Sequence, residues 1–159
     1  MKRAAAVFLI TFLFVDNIYA EIGKSVKDFQ NSAFTKAETV KQYDAWRIGK
    51  TAIFYFNDPP KRYLLQLKVD LDKNYVIEQS LDYLTPDNQT QADTDIAFMI
   101  KLLEEATGNR IEPKKLSDLV IAVFEKALRT KKPQTEEIKG YKITIGARSN
   151  SINVCVNKG

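Results

Sequence analysis

The chain contains no histidine and a single cysteine, Cys155, among 159 residues. The first absence removes whole classes of chemistry. A Ser-His-Asp triad, a Cys-His pair, an H-E-x-x-H metalloprotease site and a histidine-ligated zinc all need an imidazole, so none can be assembled within this chain. A lone thiol likewise excludes a four-cysteine metal site and any internal disulfide framework. A nucleophile of the S-x-x-K type has no match either: Ser25, Ser80 and Ser117 are followed three residues on by Asp28, Tyr83 and Val120.

Glycine is sparse, six in all, and phosphate-binding loops suffer for it. "GKS" occurs at Gly23–Ser25 and "GKT" at Gly49–Thr51, but the wrapping loop needs a further glycine five positions upstream, where Ile18 and Asp44 stand. The stretch "DLDKN" imitates the start of a calcium loop with Asp70, Asp72 and Asn74, yet Tyr75 occupies the glycine position and Leu81 the bidentate-glutamate position. Turn chemistry accounts for those acidic residues. No catalytic, cofactor-binding or metal-ligating residue is therefore assigned, and the chain is read as non-enzymatic. Carboxylate-only catalysis depends on a spatial pair that sequence does not reveal; Glu104-Glu105 and Glu136-Glu137 are expected to face solvent.

Only one long apolar run is present, and it is N-terminal. Lys2 and Arg3 precede the run Ala4–Val15, Asp16 and Asn17 close it, and Ala20 supplies a small residue. This is the layout of a secretory signal peptide, residues 1–20, removed after Ala20. The run is shorter than the roughly 20 residues that span a bilayer, so no transmembrane segment is expected in the mature chain. The expected location is the bacterial periplasm, otherwise secretion, with residues 21–159 as one domain.

Charge is mildly basic, +4 net. The clusters Lys114-Lys115 and Arg129-Thr130-Lys131-Lys132 lie in the C-terminal part, and the second sits where a helix would end, a position that favours positive charge. Together with export, this speaks against a nucleic-acid partner.

Periodicity supplies the fold. Ser25 caps a short helix, with Asp28 three residues on and Val26, Phe29 and Ala33 along one face. From about Tyr43 the pattern is extended. "TAIFYF" (Thr51–Phe56) is apolar on both faces, Ala52, Phe54 and Phe56 against Ile53 and Tyr55, and "NDPPK" stops it. In "RYLLQLKVDL" Tyr63, Leu65, Leu67, Val69 and Leu71 alternate with polar residues; after a turn at "DKN", Tyr75, Ile77, Leu81 and Tyr83 continue the apolar side. The loop "TPDNQTQ" follows, holding a sequon-like Asn88-Gln89-Thr90. Ile96, Met99, Ile100, Leu103 and Ala106 then recur at helical spacing up to Gly108. A second helix opens at Pro113 with the stripe Leu116, Leu119, Val120, Val123, Phe124, Ala127 and Leu128. After the segment bracketed by Pro133 and Gly140, Tyr141, Ile143 and Ile145 alternate, as do Ile152, Val154 and Val156: a closing hairpin. The order predicts an α+β two-layer domain: an antiparallel sheet of about five or six strands, two amphipathic helices on one face and a short N-terminal helix.

With catalytic motifs eliminated, surface recognition remains. Tryptophan, tyrosine and arginine anchor interfaces, which makes Trp46, Arg47, Tyr55 and Tyr63 the candidate partner-binding residues. Cys155 falls on the side of its strand opposite Ile152, Val154 and Val156, where it is either a covered structural thiol or the site of an intermolecular disulfide that makes a dimer. The expected function is that of a small exported interaction protein whose partner is another protein: an inhibitor, an immunity-type protein or an accessory subunit of an envelope assembly. The alternative is a periplasmic carrier of an apolar small molecule or lipid held between sheet and helices.

Overall fold

The strict alternation from Tyr63 to Asp70 becomes the middle of an antiparallel sheet. The computed structural model describes residues 21–31, 41–57 and 62–159; the proposed leader at residues 1–20, Ala33 and Pro59-Pro60 lie outside the described residues, as does the side chain of Phe29. In chain order the elements are α1 (Val26–Gln30), β1 (Lys41–Ile48), β2 (Thr51–Asn57), β3 (Tyr63–Asp70), β4 (Tyr75–Leu84), α2 (Gln89–Ala106), α3 (Pro113–Thr130), β5 (Gln134–Ile138), β6 (Tyr141–Ala147) and β7 (Ser151–Lys158). The strands form one sheet in the order β1-β2-β3-β4-β7-β6-β5, every pair antiparallel. The α+β architecture is as expected, with one strand more than the five or six predicted. The addition is β5, "QTEEI", an edge strand whose residues are mostly exposed and so carry no apolar alternation. No helix among the described residues is long and apolar enough to cross a membrane.

One face of the sheet holds the core. Phe56, Leu65, Leu67, Val69, Leu81, Ile143, Ile145, Val154 and Val156 are all at most 1 % exposed and form one cluster with Met99, Leu102 and Leu103 of α2 and Leu116 and Val120 of α3. Helix α3 lies across β5 and β6, and α2 packs on α3 and reaches β4 and β7. Because α2 meets two neighbours, it buries more than one stripe. Asp95 and Glu105 are therefore buried, at 1 % and 5 % exposure, which corrects the expectation that Glu105 faces solvent.

Local chemistry sets the element ends. At α1, Ser25 Oγ accepts from the Asp28 N–H at 3.2 Å while Asp28 Oδ2 accepts from the Ser25 N–H at 2.8 Å, a reciprocal cap. At α2, Asn88 Oδ1 accepts from the Gln91 N–H at 3.0 Å, so the second half of the expected polar loop is the first helical turn. Gly108 ends that helix at φ +61°, and a Cβ there would lie 2.7 Å from the Glu21 carboxyl group. Glu21 is held in turn by Arg110 at 2.6 Å, and the Ile22 N–H donates to the Ala106 carbonyl at 2.9 Å. The turn between β3 and β4 is an aspartate turn, Asp70 Oδ1 accepting from the N–H groups of Asp72 and Lys73 at 2.9 and 3.1 Å.

The second half of that hairpin departs from the expected pattern. Lys68 pairs with Glu78 and Val69 with Val76, so Ile77 is an extra residue in a β-bulge. The bulge reverses parity along β4: Val76 is buried, then Gln79, Leu81 and Tyr83. Tyr75 and Ile77, expected on the same side as Leu81, are only half-buried.

Candidate functional site

No helix among the described residues packs on the second face of the sheet, and its cross-strand rows are mostly polar. One row runs Asp44, Tyr55, Gln66, Ser80, Cys155, Thr144, Thr135; the next runs Trp46, Ile53, Lys68, Glu78, Asn157, Lys142, Glu137. Several polar side chains of this face pair with one another. Asp82 accepts from Asn153 Nδ2 at 2.8 Å and from Gln66 Nε2 at 3.1 Å, and the Thr135 and Thr144 hydroxyls lie 2.8 Å apart. At the β1 end the rows turn apolar. Trp46 is 60 % exposed, with its indole N–H donating to Asp44 Oδ2 at 2.7 Å, and Ile53 and Tyr55 lie beside it on β2. Ile48, two residues further along the strand and so on the same open face as Trp46, is 64 % exposed. Among the described residues β1 pairs with β2 alone, so its outer backbone edge is a candidate docking line.

The four candidate partner-binding residues do not converge. Trp46 and Tyr55 share the open face. Arg47 pairs with Ala52 and so points to the core side, where its Nε donates to the Gly49 carbonyl at 3.3 Å. Tyr63 lies on the core side as well, stacked on Phe98 at 4.3 Å between ring centroids and edge-on to Tyr83 at 6.3 Å. Cys155 does occupy the open face, half-buried between Ser80 and Thr144. Burial, and then the neighbouring Glu78 carboxylate, push its thiol up to about 12. It is a poor source of thiolate.

A second site lies between the helices and the sheet, at the end where β4 runs into α2. Tyr83, Pro86, Ala92, Ile96, Phe124 and Ile152 line an apolar cleft of about 220 Å³. At its rim stand Leu128, 51 % exposed although it belongs to the apolar stripe of α3, and Arg148 in the turn between β6 and β7. Asp95 of α2 also lines the cleft. Its carboxylate accepts from Arg62 Nη2 at 2.8 Å and from the Tyr63 hydroxyl at 2.5 Å, clasping α2 to the start of β3. Burial and the Asp95 carboxylate raise Tyr63 to about 12, and burial raises Tyr83 as well, so both phenols stay protonated.

Sequence reasoning missed Asp95, Tyr83 and Arg148 as site residues. One signal was present: Asp95 sits one turn before Met99, a charge on the helix stripe that goes inside. The fold itself offers no outside guide: no family model, no curated protein and no solved structure matches this chain.

Proposed function

We propose that this chain is a small exported, non-enzymatic interaction protein that engages another protein along the β1 edge of its sheet. The observation that carries the reading is the exposure of Trp46 and Ile48, 60 % and 64 %, on a strand paired on one side only among the described residues. Tryptophan is the residue type most enriched where interfaces concentrate their energy, and an edge strand offers a ladder of N–H and C=O groups to an incoming strand. Ile53 and Tyr55 extend the apolar ground beside Trp46, while the rest of the open face is mostly polar, with pairs such as Asp82–Asn153 and Thr135–Thr144. The leader-like residues 1–20 support export, to a periplasm or beyond the cell. An inhibitor, an immunity-type protein and an accessory subunit of an envelope assembly all work by such a surface.

The test is affinity capture of the tagged mature chain from its native envelope, beside Trp46→Glu and Ile48→Asp variants. The expected result is a stoichiometric partner held by the parent and released by both variants. Recovery of no partner, or of the same partner by all three proteins, overturns the edge reading.

A second reading, a carrier of a small apolar molecule, rests on the cleft between sheet and helices. At about 220 Å³ it falls below the roughly 300 Å³ of pockets for drug-sized ligands, which limits it to a short molecule.

A further inference from the structure

The apolar cleft holds two polar groups that the protein does not satisfy. Arg148 is among the lining residues, and its exposed side chain has no hydrogen bond or ion pair among the described residues; only its backbone N–H is bonded, to the Ser151 carbonyl at 2.8 Å. Tyr83 lines it too, 3 % exposed, and its hydroxyl has no protein partner among the described residues. The remaining charge in the cleft, Asp95, is already engaged by Arg62 and Tyr63. The unmatched charge of the cleft is thus positive and sits at its open rim, while the interior is walled by Ile96, Phe124 and Ile152.

That arrangement selects a ligand by its two ends. An apolar body gains by leaving water for the interior, about 0.8 kcal/mol per methylene by transfer measurements. An anionic head gains a charge-assisted, planar pair with the guanidinium, a match that a cation or a neutral hydroxyl cannot make. Volume fixes the length. At roughly 30 Å³ per water-sized unit, 220 Å³ holds a chain of about seven or eight heavy atoms and no long lipid tail.

We propose that this cleft binds a short-chain carboxylate, its alkyl body between α2, α3 and the β4–β7 ladder and its carboxylate on Arg148. The inference rests on the carrier reading and sharpens it to an acidic ligand class. Tyr83 adds a donor at the deep end for a ligand that carries an oxygen there.

The test is calorimetric titration of the mature protein with sodium octanoate, 1-octanol and octylammonium, repeated on Arg148→Gln and on Ala92→Phe, which fills the cleft. Octanoate is expected to bind saturably with one site, about tenfold more tightly than octanol, with octylammonium weakest; Arg148→Gln brings octanoate down to the level of octanol, and Ala92→Phe abolishes both. Arg148 is an exposed turn residue, so its variant folds irrespective of the ligand question. Equal binding of octanoate and octanol, or an octanoate affinity unchanged in Arg148→Gln, overturns the carboxylate inference and leaves the carrier reading standing. No saturable binding of any of the three overturns both.

Discussion

Replacing Asp95 with alanine removes a carboxylate that ties α2 to the start of β3. Asp95 is 1 % exposed, and it accepts from Arg62 at 2.8 Å and from Tyr63 at 2.5 Å. Breaking a buried ion pair from one side costs roughly 3–5 kcal/mol, because the partner charge is left uncompensated. The Arg62 side chain keeps 21 % exposure and can turn to water, which places the cost at the lower end, about 3 kcal/mol. For a domain of this size that lowers Tm by about 10 °C. The exposed Asp93 on the same helix is the control, and Asp93→Ala costs under about 0.5 kcal/mol. The decisive measurement is a double-mutant cycle in urea, followed by far-ultraviolet circular dichroism, with Asp95→Leu, Arg62→Leu and both together. Each single change strands a charge or its donors, whereas the double change leaves an apolar pair, so the double variant should be more stable than Asp95→Leu alone. A coupling of at least about 1.5 kcal/mol is expected. Additive costs, with no coupling, refute the argument that Arg62 and Asp95 act as a buried pair.

Three other outcomes test separate parts of the structure. Cys155, with its thiol at about 12, should react with a disulfide reagent at pH 8 orders of magnitude more slowly in the native protein than in urea, and the oxidised native protein should run as a monomer without reductant; rapid native labelling refutes the covered-thiol reading. Tyr63 and Cys155 ionise more readily in the unfolded chain, near 10 and 9, than in the folded one, near 12, so their contribution is intact below pH 9 and is lost as pH rises toward 12. The urea midpoint should therefore fall across that window, and less steeply in Tyr63→Phe; an equal fall in both excludes Tyr63 as a source. Gly108→Ala forces a side chain into a left-handed position and against the Glu21 carboxyl, and should cost about 2 kcal/mol by the same assay, whereas the equally left-handed Gly49, with open space around it, should cost about 1 kcal/mol.

What could be read in advance follows from where burial is one-sided. Leu65, Leu67 and Val69, Ile143 and Ile145, and Ile152, Val154 and Val156 alternate with polar neighbours because one sheet face meets helices and the other does not, and that contrast is written residue by residue. Strand β5 has no such contrast. It lies at an edge and is mostly exposed, so "QTEEI" carries no period. The bulge at Ile77 escaped for a different reason: it shifts the phase of β4 relative to β3, and a phase shift is a property of the pair. Asn88 read as loop because asparagine and glutamine suit a turn as well as a capped first helical turn. The cleft was the least legible part. Arg62, Asp95 and Arg148 are far apart in the chain, and what they do depends on distances that only the fold creates. Parity set Tyr55 with Ile53 along one strand, but only the β1–β2 register brings Trp46 to that face, and Tyr63 drew attention as an aromatic without any sign that its ring stacks on Phe98 and its hydroxyl reaches Asp95.

The position of β7 orders the events by which this molecule is made. Strands β1 to β4 form one meander and β5 with β6 another, and the two share no ladder until Ser151–Lys158 inserts between β4 and β6. During synthesis the inner margins of β4 and β6 thus stay open while both long helices are already made. The core side chains of β4 and β6 have no complete sheet to lie on until the last strand arrives. Non-local pairing of this kind is slow and leaves sticky margins in the interim. Ser151–Lys158 must leave the ribosome before the sheet can close, so the segments made earlier stay loose until then. Deleting residues 151–159 should accordingly yield an aggregating product in place of a smaller folded one.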